Sequence, residues 1–404
     1  MRILVINGGS SSIKFSIFES GSEAGSSDPR SIVDGELSGI GSAKARLSVR
    51  AEDEHLTHAS SEVVAKSLDD AIRLIFDIVG DPRVPRVEAV GYRVVHPGPK
   101  VDDHRRITPE LVHDLEATVM FAPLHNPEVI KVIRQGLVRF PDTPQYACFD
   151  TVFHRTMPEE ATTYALPAEY RERGVRRYGF HGLSCESIVW QMESQSGGVP
   201  KRMVIAHLGS GCSVTALVDG RSVDTTMGMT PTGGVVMGTR PGDLDPGLIL
   251  YLLREQESHA KDAVSELEST LNHASGMVAL SGMSNDMRAV RKAASEGDTR
   301  ALLAVKVFVR SVTKAIGGFC WLMGGVDAIV FTGGIGEHDG DTRREILDGL
   351  QETGISMDAS RNQTLASGIA QINSPESITS IYVIPAQEDR MIAVHVSRMA
   401  NSGT

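Results

Sequence analysis

Phosphate chemistry is what the first candidate residues suggest. In Val5-Ile6-Asn7-Gly8-Gly9-Ser10-Ser11-Ser12-Ile13-Lys14, glycines and hydroxyls fill a turn between two apolar runs, and one lysine follows. Glycine lets a backbone approach an anion closely, hydroxyl and N–H groups donate hydrogen bonds, and the lysine adds positive charge. The spacing is not that of a Walker A loop, which has G-x-x-x-x-G-K-[ST] opening a helix. A second turn of similar make-up, His207-Leu208-Gly209-Ser210-Gly211-Cys212-Ser213, lies between the apolar runs 203–206 and 214–217. A third run, 328–331, ends in Thr332-Gly333-Gly334-Ile335-Gly336-Glu337. This reads as a glycine-rich turn at a strand's C-terminal end, where open α/β sheets bind ligands.

Other polar residues stand in stiffened loops. Arg93 and His96 end the run Gly91-Tyr92-Arg93-Val94-Val95-His96-Pro97-Gly98. His125 sits between prolines in Pro123-Leu124-His125-Asn126-Pro127, and Asp150 follows an apolar run in Phe149-Asp150-Thr151. His181 lies in Arg177-Tyr178-Gly179-Phe180-His181-Gly182, and Arg240 in Met237-Gly238-Thr239-Arg240-Pro241-Gly242-Asp243-Leu244-Asp245-Pro246-Gly247. Taken singly, each has a structural reading. A strand-end arginine salt-bridges at the surface, a loop histidine satisfies backbone groups, and Asp150 caps a turn. Asp243 and Asp245 are best read as turn or helix caps. Taken together, the cationic and imidazole groups in Gly/Pro-stiffened loops shift the balance toward a chemical role.

The elements that must hold these residues are legible in the periodicity. Runs 3–6 and 15–18 read as strands of a hairpin, and 203–217 as a second hairpin, one per half of the chain, which suggests an internal duplication. Apolar Leu68, Ile72, Ile75, Phe76 and Val79 predict a capped amphipathic helix over 67–79. Residues 87–95 read as a strand, and 109–120 as a helix with Thr108 at its N-cap and Pro109 in its first turn. A short strand over 145–149 delivers Asp150. A long apolar helix is expected over 302–319, a strand over 381–384 and a last helix over 388–399. The Ser/Gly-rich stretch 20–31 reads as a loop.

Bulk properties narrow the class. The chain has 404 residues, 41% hydrophobic and 23% charged, enough for two domains of an ordinary globular protein. A net charge of −11 argues against nucleic acid or an anionic membrane as the main partner. It also requires that any anionic substrate meet a local cluster of cations. The four cysteines, Cys148, Cys185, Cys212 and Cys320, are widely spaced and suggest neither a zinc knuckle nor a disulfide framework. No signal peptide is evident, and the most membrane-like stretch, 315–336, is broken by glycines, so a cytoplasmic protein is expected.

Eight ordered segments resemble the acetate kinase family. They are Asn7 to Lys14, Arg93-Val94-Val95-His96, Pro123 to Pro127, Phe149-Asp150-Thr151, Tyr178 to Gly182, Asp224-Thr225-Thr226-Met227-Gly228, Gly238-Thr239-Arg240 and Phe331 to Glu337. The resemblance runs from residue 1 to about 395 of the chain's 404. It implies an α/β fold of two duplicated ribonuclease H-like (actin-like ATPase) domains with a cleft between them. Residues 1–150 plus about 386–404 would form one domain, with its phosphate hairpin at 7–14. Residues 151–385 would form the other, with a hairpin at 207–213 and an adenosine site at 284–288 and 332–337.

The implied reaction is reversible ATP:acetate phosphotransfer giving acetyl phosphate and ADP, with Mg²⁺, or alternatively Mn²⁺. By resemblance, Arg93, Arg240, His181 and Asp150 are the catalytic residues. His125, with His181 and Arg240, would support the transition state. Lys14, Ser10, Ser12, His207, Gly209, Ser210, Gly211, Asp286, Arg288, Gly333, Gly334, Ile335, Gly336 and Glu337 would bind ATP. Asn7 and Glu388 would hold the metal, with Asp150 helping to position it. Arg93, Val95, Leu124, Phe180 and Pro231 would bind acetate. A homodimer is implied as well.

The chain departs from the family's usual pattern in four places. Leu183-Ser184-Cys185 stands where Thr-Ser-His is usual, and Gly-Ser-Gly-Cys where Gly-Asn-Gly-Ala is common. Thr232-Gly233-Gly234 replaces a bulkier segment near the pocket, and Gln387 replaces Asn before Glu388. A short-chain acyl kinase preferring propionate, and a chaperone-like or actin-like ATPase, are the alternatives.

Overall fold

The computed structural model describes residues 1–9, 12–21, 28–42, 44–52, 57–121, 126–195, 197–257 and 262–402. Residues 22–27 of the expected 20–31 loop, and the site candidates Ser10, Leu124 and His125, lie outside the described residues. The chain divides into two compact units, residues 1–152 with 387–404, and residues 153–386.

The first unit is built on an eight-stranded sheet. Its strands are β1 (Arg2–Gly8), β2 (Ser12–Glu19), β3 (Arg30–Ser38), β4 (Ala45–Ala51), β5 (His58–Val63), β6 (Ala89–Val94), β7 (Arg105–Arg106) and β8 (Gln145–Phe149). Their order is β5-β4-β3-β2-β1-β6-β8-β7. The second unit has a six-stranded sheet of β9 (Arg202–Leu208), β10 (Cys212–Val218), β11 (Arg221–Thr225), β12 (Ala328–Thr332), β13 (Ala370–Gln371) and β14 (Ser380–Val383). The order there is β11-β10-β9-β12-β14-β13.

The two sheets repeat one plan. β3-β2-β1 are antiparallel neighbours, and β6 and β8 then add in parallel to β1. β11-β10-β9 are likewise antiparallel, and β12 and β14 add in parallel. Each unit therefore presents a hairpin turn between its first two strands, followed by a parallel strand beside it. This is the duplicated actin-like α/β fold.

Burial explains why these segments are strands. Residues buried on both faces of the central strands leave continuous apolar runs, as parallel sheets covered by helices require. Leu4, Ile6, Ile13, Phe15, Ile17, Tyr92 and Phe149 form the first core, with Ile72, Ile75 and Phe76 of the helix Leu68–Val79 packed against them. Ser67 caps that helix by accepting from the Asp70 N–H, a contribution of about 1 kcal/mol. In the second unit, Met203, Ile205, Ala328 and Val330 pack on Ile188 and Met192 of the helix Gly182–Gln195.

One glycine decides how the last helix docks. A Cβ on Gly91 of β6 would lie 2.6 Å from Ile392 and 2.7 Å from Val396. Only hydrogen at this position lets the helix Glu388–Ser402 lie close against β6.

Element bounds depart from the periodicity in a few places. The helix Pro109–Ala117 stops earlier than expected and passes into a 3-10 turn, Val119–Phe121. The long helix runs further at both ends, Thr299–Leu322, and Asp298 sets its start by accepting from the N–H groups of Arg300 and Ala301. The segment after β12 is not a turn but a short helix, Gly333–His338. Glu337 stabilises its start, its Oε1 accepting from the Gly333 N–H at 2.9 Å. Among the described residues, no helix is long and apolar enough to cross a membrane.

Candidate active site

In the first unit, parallel pairing brings three strand ends together. Asn7, the penultimate residue of β1, lies opposite Lys14 of β2, and the turn between the strands is closed by Gly9 N–H donating to Ser12 O at 2.8 Å. Arg93 lies on β6, between β1 and β8, and Asp150 follows β8. Arg93 is not the surface cation of the structural reading. It pairs with the buried Asp150, donates from Nη1 to Asn7 Oδ1 at 3.3 Å, and lies 4.0 Å from Glu388 Oε2. Burial alone would weaken the guanidinium's hold on its proton. Asp150, Glu388 and Asp389 offset this and raise its pKa.

The last helix completes the cluster. Asn7 Nδ2 donates to Asp389 Oδ1 at 2.8 Å and to Glu388 Oε2 at 3.3 Å. Burial pushes Asp389 above the usual carboxylate range. The Asn7 hydrogen bond opposes this, Glu388 adds to it, and Lys14 and Arg93 oppose it. Asp150, Glu388 and Asp389 thus face two cations, leaving an acidic excess. These oxygen-only donors fit a hard divalent cation such as magnesium, which takes carboxylate and carbonyl oxygens and keeps several waters. Asp389 was missed in the sequence, its only signal being its place next to Glu388.

Val95 is half-buried just beyond β6. His96 is buried and its Nδ1 accepts from the Gly98 N–H at 2.8 Å, so it serves the loop.

In the second unit, His207, the penultimate residue of β9, lies opposite Ser213 of β10. Gly209 N–H donates to Gly211 O at 3.1 Å and closes the turn. His181 stacks on His207 with ring centroids 4.2 Å apart and planes 21° apart. Each ring is fixed through Nδ1: His181 to Ser213 Oγ at 2.9 Å, His207 to Ser184 Oγ at 2.7 Å. Neither serine was singled out from the sequence.

The turn is a cradle that side chains would fill. A Cβ on Gly211 would lie 3.2 Å from His181 Nε2 and 3.6 Å from Arg240 Nη1. One on Gly209 would lie 3.7 Å from His207 Nε2 and 4.0 Å from the Gly334 nitrogen. Imidazole, guanidinium and backbone nitrogen therefore converge on the two glycines.

Arg240 is held by its own loop and by the next one. Its Nη1 donates to Pro231 O at 3.0 Å. Met237 N–H donates to Arg240 O, and Ser275, Met277 and Val278 N–H groups donate to carbonyls of Thr239, Met237 and Gly238. Gly276 makes this fit possible. It has φ +62°, and a Cβ there would lie 2.3 Å from Met237 O and 2.6 Å from Arg240 O.

The remaining candidates are placed as follows. Ser210 O accepts from the Gly238 N–H at 3.1 Å, and a Cβ on Gly238 would lie 3.3 Å from Asn285 Cβ, so 284–286 begins beside this turn. Asp286 caps the helix Met287–Ser295 and pairs at 3.0 Å with the exposed Arg288. Within the helix 333–338, Gly333, Gly334, Ile335, Gly336 and Glu337 are held from behind by Arg343. That fully buried guanidinium donates to Gly336 O at 2.8 Å and Glu337 O at 3.0 Å. Phe180 and Pro231 are buried. Asp243 and Asp245 accept from the N–H groups of Gly234 and Gly247, as turn residues. Cys212 is buried with its thiol pushed up to about 12, which leaves it inert.

Two sheets of one plan, each with a glycine- and hydroxyl-bearing hairpin turn among charged or imidazole side chains, have the architecture of a phosphotransferase of the actin-like ATPase fold. The model of the acetokinase family matches residues 2–394. An acetate kinase of Rhodopseudomonas palustris is 40% identical over 405 residues, covering 99% of each chain. One of Halothermothrix orenii is 38% identical over the full length of both. Among solved structures, the acetate kinase of Porphyromonas gingivalis superposes with a TM-score of 0.84 at 32% identity, covering 99% of each chain. A propionate kinase of Francisella tularensis gives 0.88 at 35% identity, covering 98% of this chain and 99% of its own. The chain belongs to the acetokinase family, and it is a kinase whose acceptor is a carboxyl group.

Proposed function

We propose that this chain performs its family's reaction with the residues described above. The reaction is reversible transfer of the ATP γ-phosphoryl group to acetate, giving acetyl phosphate and ADP, supported by Mg²⁺. An acetate oxygen forms the new bond to phosphorus as the bond to the ADP oxygen breaks. A carboxylic acid with a pKa of about 4–5 is already ionised at neutral pH, so no proton has to be removed. The barrier is the approach of one anion to another, and catalysis is positioning plus charge stabilisation.

One observation carries this reading: His181 Nε2 and Arg240 Nη1 converge on the Gly209–Gly211 turn, where a side chain would intrude. Arg240 and His181 are assigned to the equatorial oxygens of the transferring phosphoryl group. His207, Gly209, Ser210 and Gly211 are assigned to the nucleotide phosphates, and Asp286, Arg288 and 333–337 to the adenosine. Arg93, its guanidinium fixed by Asp150, is assigned to the acetate carboxylate, and Val95, Phe180 and Pro231 keep the acetate-binding roles that the resemblance implies. Lys14 and Ser12 are assigned to phosphate on the first unit's turn. Ser10, His125 and Leu124 keep the roles that the resemblance implies. Asn7, Asp150, Glu388 and Asp389 are the residues that would hold the divalent cation, which when bound neutralises phosphate charge. The homodimer is part of the same proposal, and sedimentation tests it.

The test is acyl phosphate formation from ATP and Mg²⁺ with acetate, propionate or butyrate, trapped with hydroxylamine. Acetate is expected to be the best acceptor. An apolar pocket discriminates against one methylene by only about 10–200-fold, so propionate is expected to react more weakly. A preference for propionate would move the acyl assignment, and ATP hydrolysis without any acyl phosphate would overturn the reading.

A further inference from the structure

His181 sits on strained backbone. Its φ is +60°, in the left-handed region that few residues other than glycine adopt, and Gly179 two positions before it has φ +79°. Such a conformation persists only where the surroundings hold it.

A buried ring lies directly behind this segment. His154 is 1% exposed, in the 3-10 turn Val152–Thr156. Its Nε2 is 3.2 Å from Phe180 O and its Nδ1 is 2.9 Å from Ser222 Oγ. A carbonyl oxygen only accepts, so Nε2 carries the proton, and Nδ1 accepts from the Ser222 hydroxyl. Thr156 Oγ1 donates to Ser222 O at 2.8 Å, tying the turn to β11. The ring also fills the space beside Gly179, where a Cβ would lie 2.8 Å from His154 Cγ. Burial lowers the His154 pKa to about 4, so this tautomer persists through the neutral range.

We infer that His154 is a positioning residue for His181: by donating Nε2–H to the Phe180 carbonyl, it holds His181 in the left-handed conformation that aims its Nε2 at the Gly209–Gly211 turn. His154 has no assigned contact with either substrate and acts through the peptide next to His181. The inference rests on the phosphoryl-binding role proposed for His181.

The test compares full-length wild type with His154→Leu, His154→Gln and Ser222→Ala, by acyl phosphate kinetics and by nitrogen NMR of the His181 imidazole. His154→Leu is expected to lower kcat about tenfold to a hundredfold, with KM for ATP and acetate within about threefold, since small misplacements are costly in the transition state. His154→Gln, whose amide can reach the Phe180 carbonyl, is expected to recover most of that loss. Both His154→Leu and Ser222→Ala should move the His181 nitrogen shifts.

Wild-type kcat per folded molecule and unmoved His181 shifts in His154→Leu would overturn the inference. If that variant does not fold, unmoved shifts in Ser222→Ala would overturn it. Wild type that makes no acyl phosphate would instead sink the functional reading, and the NMR comparison would still decide the positioning role.

Discussion

His154 titrates differently folded and unfolded, and this gives stability a measurable pH dependence. Its folded pKa is about 4 against an ordinary value of 6.5, because burial disfavours the charged ring. The unfolded chain therefore binds the extra proton first. The stabilising difference is fully present above about pH 6.5 and is lost as pH falls toward 4, by up to about 3 kcal/mol at 1.36 kcal/mol per unit. His154→Gln lacks this titration. The melting-temperature advantage of wild type over His154→Gln is thus expected to shrink between pH 7 and pH 4.5, and a constant gap would contradict the assignment. At this scale the sequence was informative where residue type alone carries the meaning. Arg93 and Asp150 stood out as charged groups at strand ends, and His181 and Arg240 as an imidazole and a cation in Gly/Pro-stiffened loops. Asp389, Ser184, Ser213 and His154 did not, because their importance is relational. Each matters through a partner brought from another strand or helix, such as Asn7 Nδ2 for Asp389.

Two glycines separate space from backbone conformation at the level of elements. Gly211 is not in the left-handed region, so Gly211→Ala is expected to fold normally while its Cβ occupies the cradle before His181 and Arg240. It should lose turnover with little change in melting temperature. Gly276→Ala meets both a positive φ and the backbone of the 237–240 turn, so it should lose stability as well as turnover. Equal melting temperatures for the two variants would contradict this distinction. The hairpins and helix faces were legible because apolar periodicity survives in them. The helix 333–338 was not, since three glycines in six residues read as a turn. What makes it helical is Glu337 accepting from the Gly333 N–H and Arg343 holding the carbonyls at its end. Strands β3 to β5 went unplaced because their alternation is diluted by charged and small residues.

At the scale of the whole molecule, an acidic protein of net charge −11 works on anions. It does so with local cations set against acids, and the oxygen cluster about Asn7 and Glu388 is a net-negative spot that a dication would neutralise. Chelation of divalent cations is expected to abolish turnover and added Mg²⁺ to restore it; turnover unaffected by chelation would contradict the cluster's assignment. The most direct test of the account is the kinetics of Arg93→Ala and Arg240→Ala with ATP, Mg²⁺ and acetate. The account predicts that each lowers kcat by about a hundredfold or more, the scale of losing a transition-state donor, while the KM for ATP changes far less. Unchanged turnover in both variants would contradict it.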